Sequence, residues 1–364
     1  MAVNRKTFVE VLGKVADALS GKDLIPVFAC FCFDGKSVHA YDDVVALRHP
    51  LVCGIEGAVR GTLLLNFLKA SKAKDVDVTQ DGEGLLLKAG RSKLTTSVLP
   101  AKDFLFEEPE VSKKAFTFAV DADFLQSLDK AMVSMGRDPS HPWRLGVCVV
   151  GGNDAMTLYS SDNRSASKVV IKGGSTAPGL VTILPPRFCE LLVAIGKADA
   201  PEMVSLSGEW AVVAFSSGLK LFSRTISGPD VKMYRQLFKA ASDEECVSVP
   251  DGLDKALERA QVVLPYAKEP HTKLRVADGK LHLTTESSAG NVKDAITVEH
   301  PECEADLSPD LVYRALPYCP KFRIAGDKGF VVFRGKGIVH LVTTIQQSGG
   351  GDAGQDEGGD AGDE

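Results

Sequence analysis

A chain of 364 residues exceeds what one hydrophobic core usually supports, and 44% apolar residues suffice to fill several small domains. No apolar run approaches the ~20 residues of a membrane span and the N-terminus lacks a signal-peptide core, so a soluble, intracellular, cytoplasmic protein is expected. The formal charge of −6 resides in the last stretch: Ser348 to Glu364 holds six acids and no base, whereas the 42 Lys and Arg balance the remaining acids.

Taken in chain order, the first pattern is an apolar stripe at Phe8, Leu12, Val15 and Leu19, the face of an amphipathic helix. Strand-like runs follow at Val27 to Phe33 and Val38 to Tyr41, flanking a turn at Asp34 and Gly35. A second helical stripe lies at Leu64, Phe67 and Leu68, and further strands at Val76 to Thr79, Leu85 to Ala89 and Lys93 to Val98. The same text then returns. Phe124, Leu128, Ala131 and Met135 repeat the first stripe, and so do Leu253, Leu257, Ala260 and Leu264. Phe188, Leu191 and Leu192, then Val312, Ala315 and Leu316, repeat the second stripe at successive offsets of 124 residues. Strands are expected in the second copy at Leu145 to Val150, Met156 to Tyr159, Met203 to Leu206, Trp210 to Phe215 and Lys220 to Thr225. The third copy offers Lys273 to Val276, Lys280 to Thr284, Lys321 to Ala325, Gly329 to Phe333 and Gly337 to Thr343. Helices and antiparallel strands within each copy make this an α+β chain built by repetition. The expected modules are residues 1–115, 116–240 and 241–347, followed by an acidic, Gly-rich tail at 348–364.

The tail's composition reads as disordered, either a solubilising segment or a polyanion that competes with DNA for a basic surface. Eight cysteines sit singly in apolar runs, as reduced core residues do, and no His or Cys spacing suits a metal, so neither metal nor cofactor is expected. Gly35, Lys36 and Ser37 echo a phosphate loop, but the segment is a hairpin turn with Cys30 in place of the first glycine. No acid, base and nucleophile set converges, so no catalytic residue is assigned and an enzyme is not expected. The helices instead carry Lys14, Lys69, Lys72, Lys130, Arg187, Lys197, Lys255, Arg259 and Arg314. If the helices of all modules face one way, these bases form a positive wall that attracts phosphates without reading sequence.

Leu85 to Phe104, LLLKAGRSKLTTSVLPAKDF, resembles the end of the first domain of the bacterial DNA polymerase β sliding clamps, with their Gly, Arg, Ser turn and Leu, Pro, Ala, Asp, Phe exit. Ile25, Pro26 and Val27 resemble that family's entry into its first strand, Ser161 and Asp162 its second-domain turn, and Tyr234 and Arg235 its second-domain exit. The third copy is similar nearly throughout, from Leu253, Lys255, Ala256 and Leu257 to the strand Val339 to Ile345.

The resemblance implies the DNA clamp fold: three domains, each with two inner helices and two outer antiparallel sheets, and a homodimer closed head to tail into a ring around duplex DNA. It implies a processivity factor of bacterial or bacteriophage replication that tethers the polymerase and is placed on DNA by a loader. For DNA it adds Lys22, Arg137, His141 and Trp143 to the helical bases; Trp143 would either stack on a base or sugar or pack in the core. For the dimer it implies Phe104 and Phe106 on one chain near Val263 and Leu264 on the other. It also implies a groove between the second and third domains for short peptides of polymerase and loader, with walls at Leu237, Leu341, Thr343 and Ile345 and a bordering loop at Asp162, Asn163 and Arg164. Arg144 and Ala166 replace leucines there and Lys232 a proline, so a less apolar groove is expected. The alternative is a clamp-like docking platform for transcription or repair proteins.

Overall fold

The protein is described from a computed structural model covering residues 1–21, 25–173, 177–226, 228 and 231–345. Lys22 and the tail from Ser348 to Glu364 lie outside the described residues. The described residues form two compact units: residues 1–243 with 335–340, and residues 244–334 with 341–345.

In the first unit, helix α1 (Arg5–Val15) starts where the Asn4 side chain accepts a hydrogen bond from the Thr7 amide at 3.2 Å, satisfying one orphan donor of the first turn. Phe8, Leu12 and Val15 of its expected stripe are fully buried, whereas Leu19 lies beyond the helix end and is half-buried; α1 packs on helix α2 (Gly61–Ala70), which buries Leu64 and Leu68. Helix α3 (Ala122–Ala131), capped by Asp121 on the Phe124 amide at 2.8 Å, packs in the same way on helix α4 (Pro186–Gly196). Helix α4 begins on Pro186, whose missing N–H costs nothing at that position.

An antiparallel eight-stranded sheet unites the first two copies of the repeat. Its order is Glu56–Arg60, Cys30–Asp34, Ser37–Tyr41, Val45–Pro50, Lys220–Arg224, Trp210–Phe215, Pro201–Ser207 and Phe116–Ala119. The seam is the pairing of Val45–Pro50 with Lys220–Arg224, in register from Arg48 opposite Lys220 to Val45 opposite Ser223. Beside it lie a four-stranded sheet, Ala2–Asn4, Asp75–Asp81, Gly84–Ala89 and Ser92–Ser97, and the ladder Val181–Leu184, Val147–Gly151, Ala155–Ser161 and Ser165–Lys172.

A further helix, α5 (Val231–Ala240), departs from the expected two helices per copy. Its Tyr234 stacks on Tyr159 with ring centroids 5.1 Å apart, and Phe238 lies 5.9 Å from the same ring. The segment Pro26–Ala29 is a 3-10 turn, so the first strand starts at Cys30 rather than Val27.

In the second unit, helix α6 (Leu253–Val263) packs on helix α7 (Pro309–Ala315) and on the first two strands of the sheet ordered Gly290–Thr297, Lys280–Ser287, Thr272–Ala277 and Cys303–Leu307. Gly252, at φ 85°, supplies the left-handed turn into α6. Phe322 and Phe333, both buried, stack at 6.2 Å.

All eight cysteines are free thiols; burial pushes Cys32 and Cys148 each up to about 12 and holds them as inert core residues. No helix among the described residues is long and apolar enough to cross a membrane.

Candidate nucleic-acid interface

The bases expected to face DNA divide by what holds them. Lys69, in the last turn of α2, Lys72, just beyond it, and Lys197, at the end of α4, are exposed and have no ion pair among the described residues. Lys130 on α3 is half-buried and donates to the Lys336 carbonyl at 3.4 Å.

The others carry counter-ions. Lys14 lies 3.6 Å from Asp199, Arg137 2.6 Å from Glu190, Lys255 2.9 Å from Glu258 and Arg259 2.6 Å from Asp294. Arg314 is paired with Asp310 one turn earlier on α7. Arg187 donates to the Asp17 carbonyl at 2.5 Å and sits 3.9 Å from Asp42, so it ties α4 to the first copy of the repeat within the unit. Within each unit these bases are therefore largely neutralised by neighbouring acids. Most of these pairs are solvent-exposed and worth about 0–1 kcal/mol each, so a phosphate can replace the carboxylate at small cost. Lys6 was not anticipated; it is exposed and shares the i, i+4 ridge of Glu10 and Lys14, the spacing that would have revealed it.

The loop carrying Arg137, His141 and Trp143 is pinched at its base by two glycines. A Cβ on Gly136 would meet the Arg144 carbonyl at 2.5 Å, and one on Gly146 the Leu184 carbonyl at 2.1 Å, so neither position admits a side chain without backbone movement. The Gly146 amide donates to the Gly136 carbonyl at 3.1 Å, closing the loop. Inside it, the Asp138 carboxylate accepts from the Ser140 hydroxyl at 2.7 Å and amide at 2.9 Å, which holds its pKa below the ordinary value. Arg137 and His141 are exposed. Trp143 is half-buried with the Arg144 guanidinium 3.9 Å from its ring centroid. Arg144, expected at the edge of a peptide groove, thus spends its charge on Trp143, and its Nε is buried without a hydrogen-bond partner among the described residues.

In the first unit, the other proposed groove residues differ in access. Asp162 accepts from the amides of Arg164 at 3.0 Å and Ser165 at 2.6 Å, bending the chain through Asn163 at φ 74°. Arg164 and Lys232 are exposed and Leu237 is half-buried on α5, but Ala166 is only 2% exposed and belongs to the core. In the second unit Thr343 and Ile345 are exposed, whereas Leu341 is 2% exposed. Ala166 and Leu341 therefore offer no contact surface to a partner, because each is covered by its own chain.

The dimer residues need a correction as well. Phe106 is 7% exposed, with its ring 5.4 Å from Tyr41, 5.3 Å from Phe222 and 5.8 Å from Trp210, so it cannot reach a second chain. Phe104 is partly buried against the same cluster, while Val263 and Leu264, at the end of α6, are half-buried. Leu105 was missed, and its 61% exposure follows from strict alternation between two inward phenylalanines.

No family model matches the chain. A beta sliding clamp of Streptomyces coelicolor is 24% identical over 341 residues, covering 89% of this chain and 86% of the relative. A beta sliding clamp of Proteus mirabilis is 21% identical over 243 residues, covering 66% of this chain and 65% of the relative. The crystal structure of the DNA polymerase sliding clamp from Pseudomonas aeruginosa superposes with a TM-score of 0.81 at 17% identity, over 95% of this chain and 99% of that one. Over nearly its whole described length, the chain has the fold of the bacterial DNA polymerase sliding clamps.

Proposed function

We propose that this protein is a DNA sliding clamp: a homodimeric ring of three-module chains that encircles duplex DNA and holds the replicative polymerase at the primer end. The observation that carries the reading is the match to sliding clamps along almost the full chain, in fold and in a relative's sequence. Exposed bases on successive helices agree with it. Their neighbouring carboxylates keep the attraction to DNA weak, which suits a protein that must slide. Retention then comes from topology rather than affinity, and tethering raises the local concentration of polymerase. No catalytic group is needed for this. The polymerase and a clamp loader would engage it through short peptide motifs, with Leu237 and Arg164 of the first unit as accessible contacts. The setting is the cytoplasm of a bacterial cell or of an infected bacterial host.

We place the dimer contact at two free sheet edges instead of Phe106. Ser92–Ser97 ends the four-stranded sheet of the first copy, and Gly290–Thr297 ends that of the third. Among the described residues no strand pairs with the outer side of either, and pairing one with the other on a second chain would satisfy both rows of backbone donors and acceptors. Val263 and Leu264 lie at the end of the helix that packs on the latter strand.

After loading by a bacterial clamp loader, the protein should stay on nicked circular DNA through gel filtration and leave when the circle is cut. Equal retention on linear DNA would replace encirclement by ordinary binding. Reversing Lys69, Lys72 and Lys197 to glutamate should shorten processive products about tenfold, by removing three phosphate contacts, while the dimer mass by light scattering stays the same.

A further inference from the structure

Within the first unit, the segment after Ser92–Ser97 runs back over the eight-stranded sheet as a strap. Its side chains alternate. Phe104 turns to His39, with ring centroids 6.3 Å apart, Phe106 fills the aromatic cluster, and the Glu108 carboxylate bridges Arg48 at 2.5 Å and Lys220 at 2.7 Å. This sheet face already recognises, in cis, an extended segment with aromatic anchors followed by an acid.

Beside the strap a cavity of about 550 Å³ remains open, bordered by Tyr41, Lys102, Leu105, Glu107, Trp210 and Arg224. Leu105 and Trp210 give it apolar surface. The Arg224 guanidinium lies 5.1 Å from the Trp210 ring centroid, and among the described residues its only ion pair, at 3.3 Å, is with Glu209, whose side chain is 79% exposed. Lys102 is exposed and has no partner among the described residues. Glu108 is already neutralised by Arg48 and Lys220, and Arg224 has only the exposed Glu209 as counter-ion, so at the mouth Arg224 and Lys102 remain open to a further carboxylate beside Glu107. The volume is that of a small ligand site, and its chemistry complements an apolar side chain next to a carboxylate.

We propose that this cavity is a second docking site, for a short extended peptide that lays a leucine or aromatic anchor against Leu105 and Trp210 and a neighbouring carboxylate on Arg224 and Lys102. It is separate from the residues invoked above for polymerase and loader peptides, and it does not require the ring.

The probe is a fluorescein-labelled peptide containing Asp-Leu-Phe-Asp, titrated against the full chain and read by anisotropy. Saturable binding is expected, with Leu105→Glu and Arg224→Glu each weakening it about tenfold, as loss of a central anchor or its charge partner does. Both residues are exposed, and thermal melts identical to wild type check that folding is intact. A peptide with lysines in place of the aspartates should not bind, and Ile345→Glu should leave the affinity within about twofold, as a residue outside the site does. Absence of saturable binding up to about 1 mM would overturn the proposal, as would binding lost through Ile345→Glu but kept in Leu105→Glu and Arg224→Glu. Binding that appears only after removal of residues 348–364 would assign the cavity to the chain's own acidic tail and overturn it equally.

Discussion

Phe104, Leu105 and Phe106 show what one position of register decides. An extended segment sends alternate side chains to opposite sides, so burial of Phe106 forces Leu105 outward. Phe106→Ala should cost about 3–5 kcal/mol in urea unfolding, the usual loss for deleting a buried phenylalanine ring. Leu105→Ala should stay within about 0.5 kcal/mol, as exposed substitutions do. Equal effects of the two would mean that the strap is not seated on the sheet. The sequence carries the alternation but not its phase, because the aromatic cluster that selects Phe106 comes from Tyr41, Trp210 and Phe222, distant in the chain. The same limit applies at Leu341 and Ala166: a groove wall and a core position are both apolar, and only the covering residues distinguish them. The exposure of most helical bases was more legible, since charge on a helix opposite its apolar stripe is exposed by geometry alone. Their carboxylate partners were not: Asp199 and Glu190 come from elsewhere in the fold.

At the scale of elements, all six expected helices form, because each stripe recurs at helical spacing; α1 and α3 start on a side-chain cap and α4 and α7 on a proline. Helix α5 escaped notice since only Tyr234 and Phe238 mark its buried face, too few to set a period. Several strands escaped too. Gly290–Thr297 reads as a polar loop because it is an edge strand with every second residue exposed, and Ser165–Lys172 hides its burial behind serines. One of those serines belongs to a polar cluster inside the first unit. Ser134, Ser167 and His340 are fully buried; the Ser134 and Ser167 hydroxyls are 2.9 Å apart, and His340 Nδ1 lies 3.1 and 2.9 Å from them. Together with the Val170 amide, which donates to the Gly337 carbonyl at 2.8 Å, this cluster secures residues 335–340 against the second copy. His340→Leu would leave two buried hydroxyls short of a partner and should cost about 1–3 kcal/mol in urea unfolding. Combining it with Ser134→Ala and Ser167→Ala should recover part of that loss, because apolar groups then face one another. Strict additivity of the three substitutions would show that they do not act as a network.

For the whole molecule, the recurrence of the second helical stripe at offsets of 124 residues was legible in the sequence, while the chain divides into two compact units rather than three. Sequence did not reveal that the first two copies share one continuous sheet, since the Val45–Pro50 and Lys220–Arg224 pairing joins strands about half the chain apart. Charge is the other property of this scale. The chain's entire net charge of −6 is contained in Ser348 to Glu364, which has no base and little apolar surface to bury. A polyanion covalently attached to a neutral body is held at high effective concentration near that body's exposed lysines, where it competes with DNA phosphate. Removing residues 348–364 should therefore strengthen DNA binding several-fold at low salt. The gain should disappear toward 1 M salt, where the screening length is about 3 Å. Thermal stability should be unchanged. Filter-binding titrations across salt, beside a thermal melt of each protein, separate the outcomes. A gain that persists at high salt would point to steric obstruction by the tail, and a lowered melting temperature would mean that the tail is docked on the folded body.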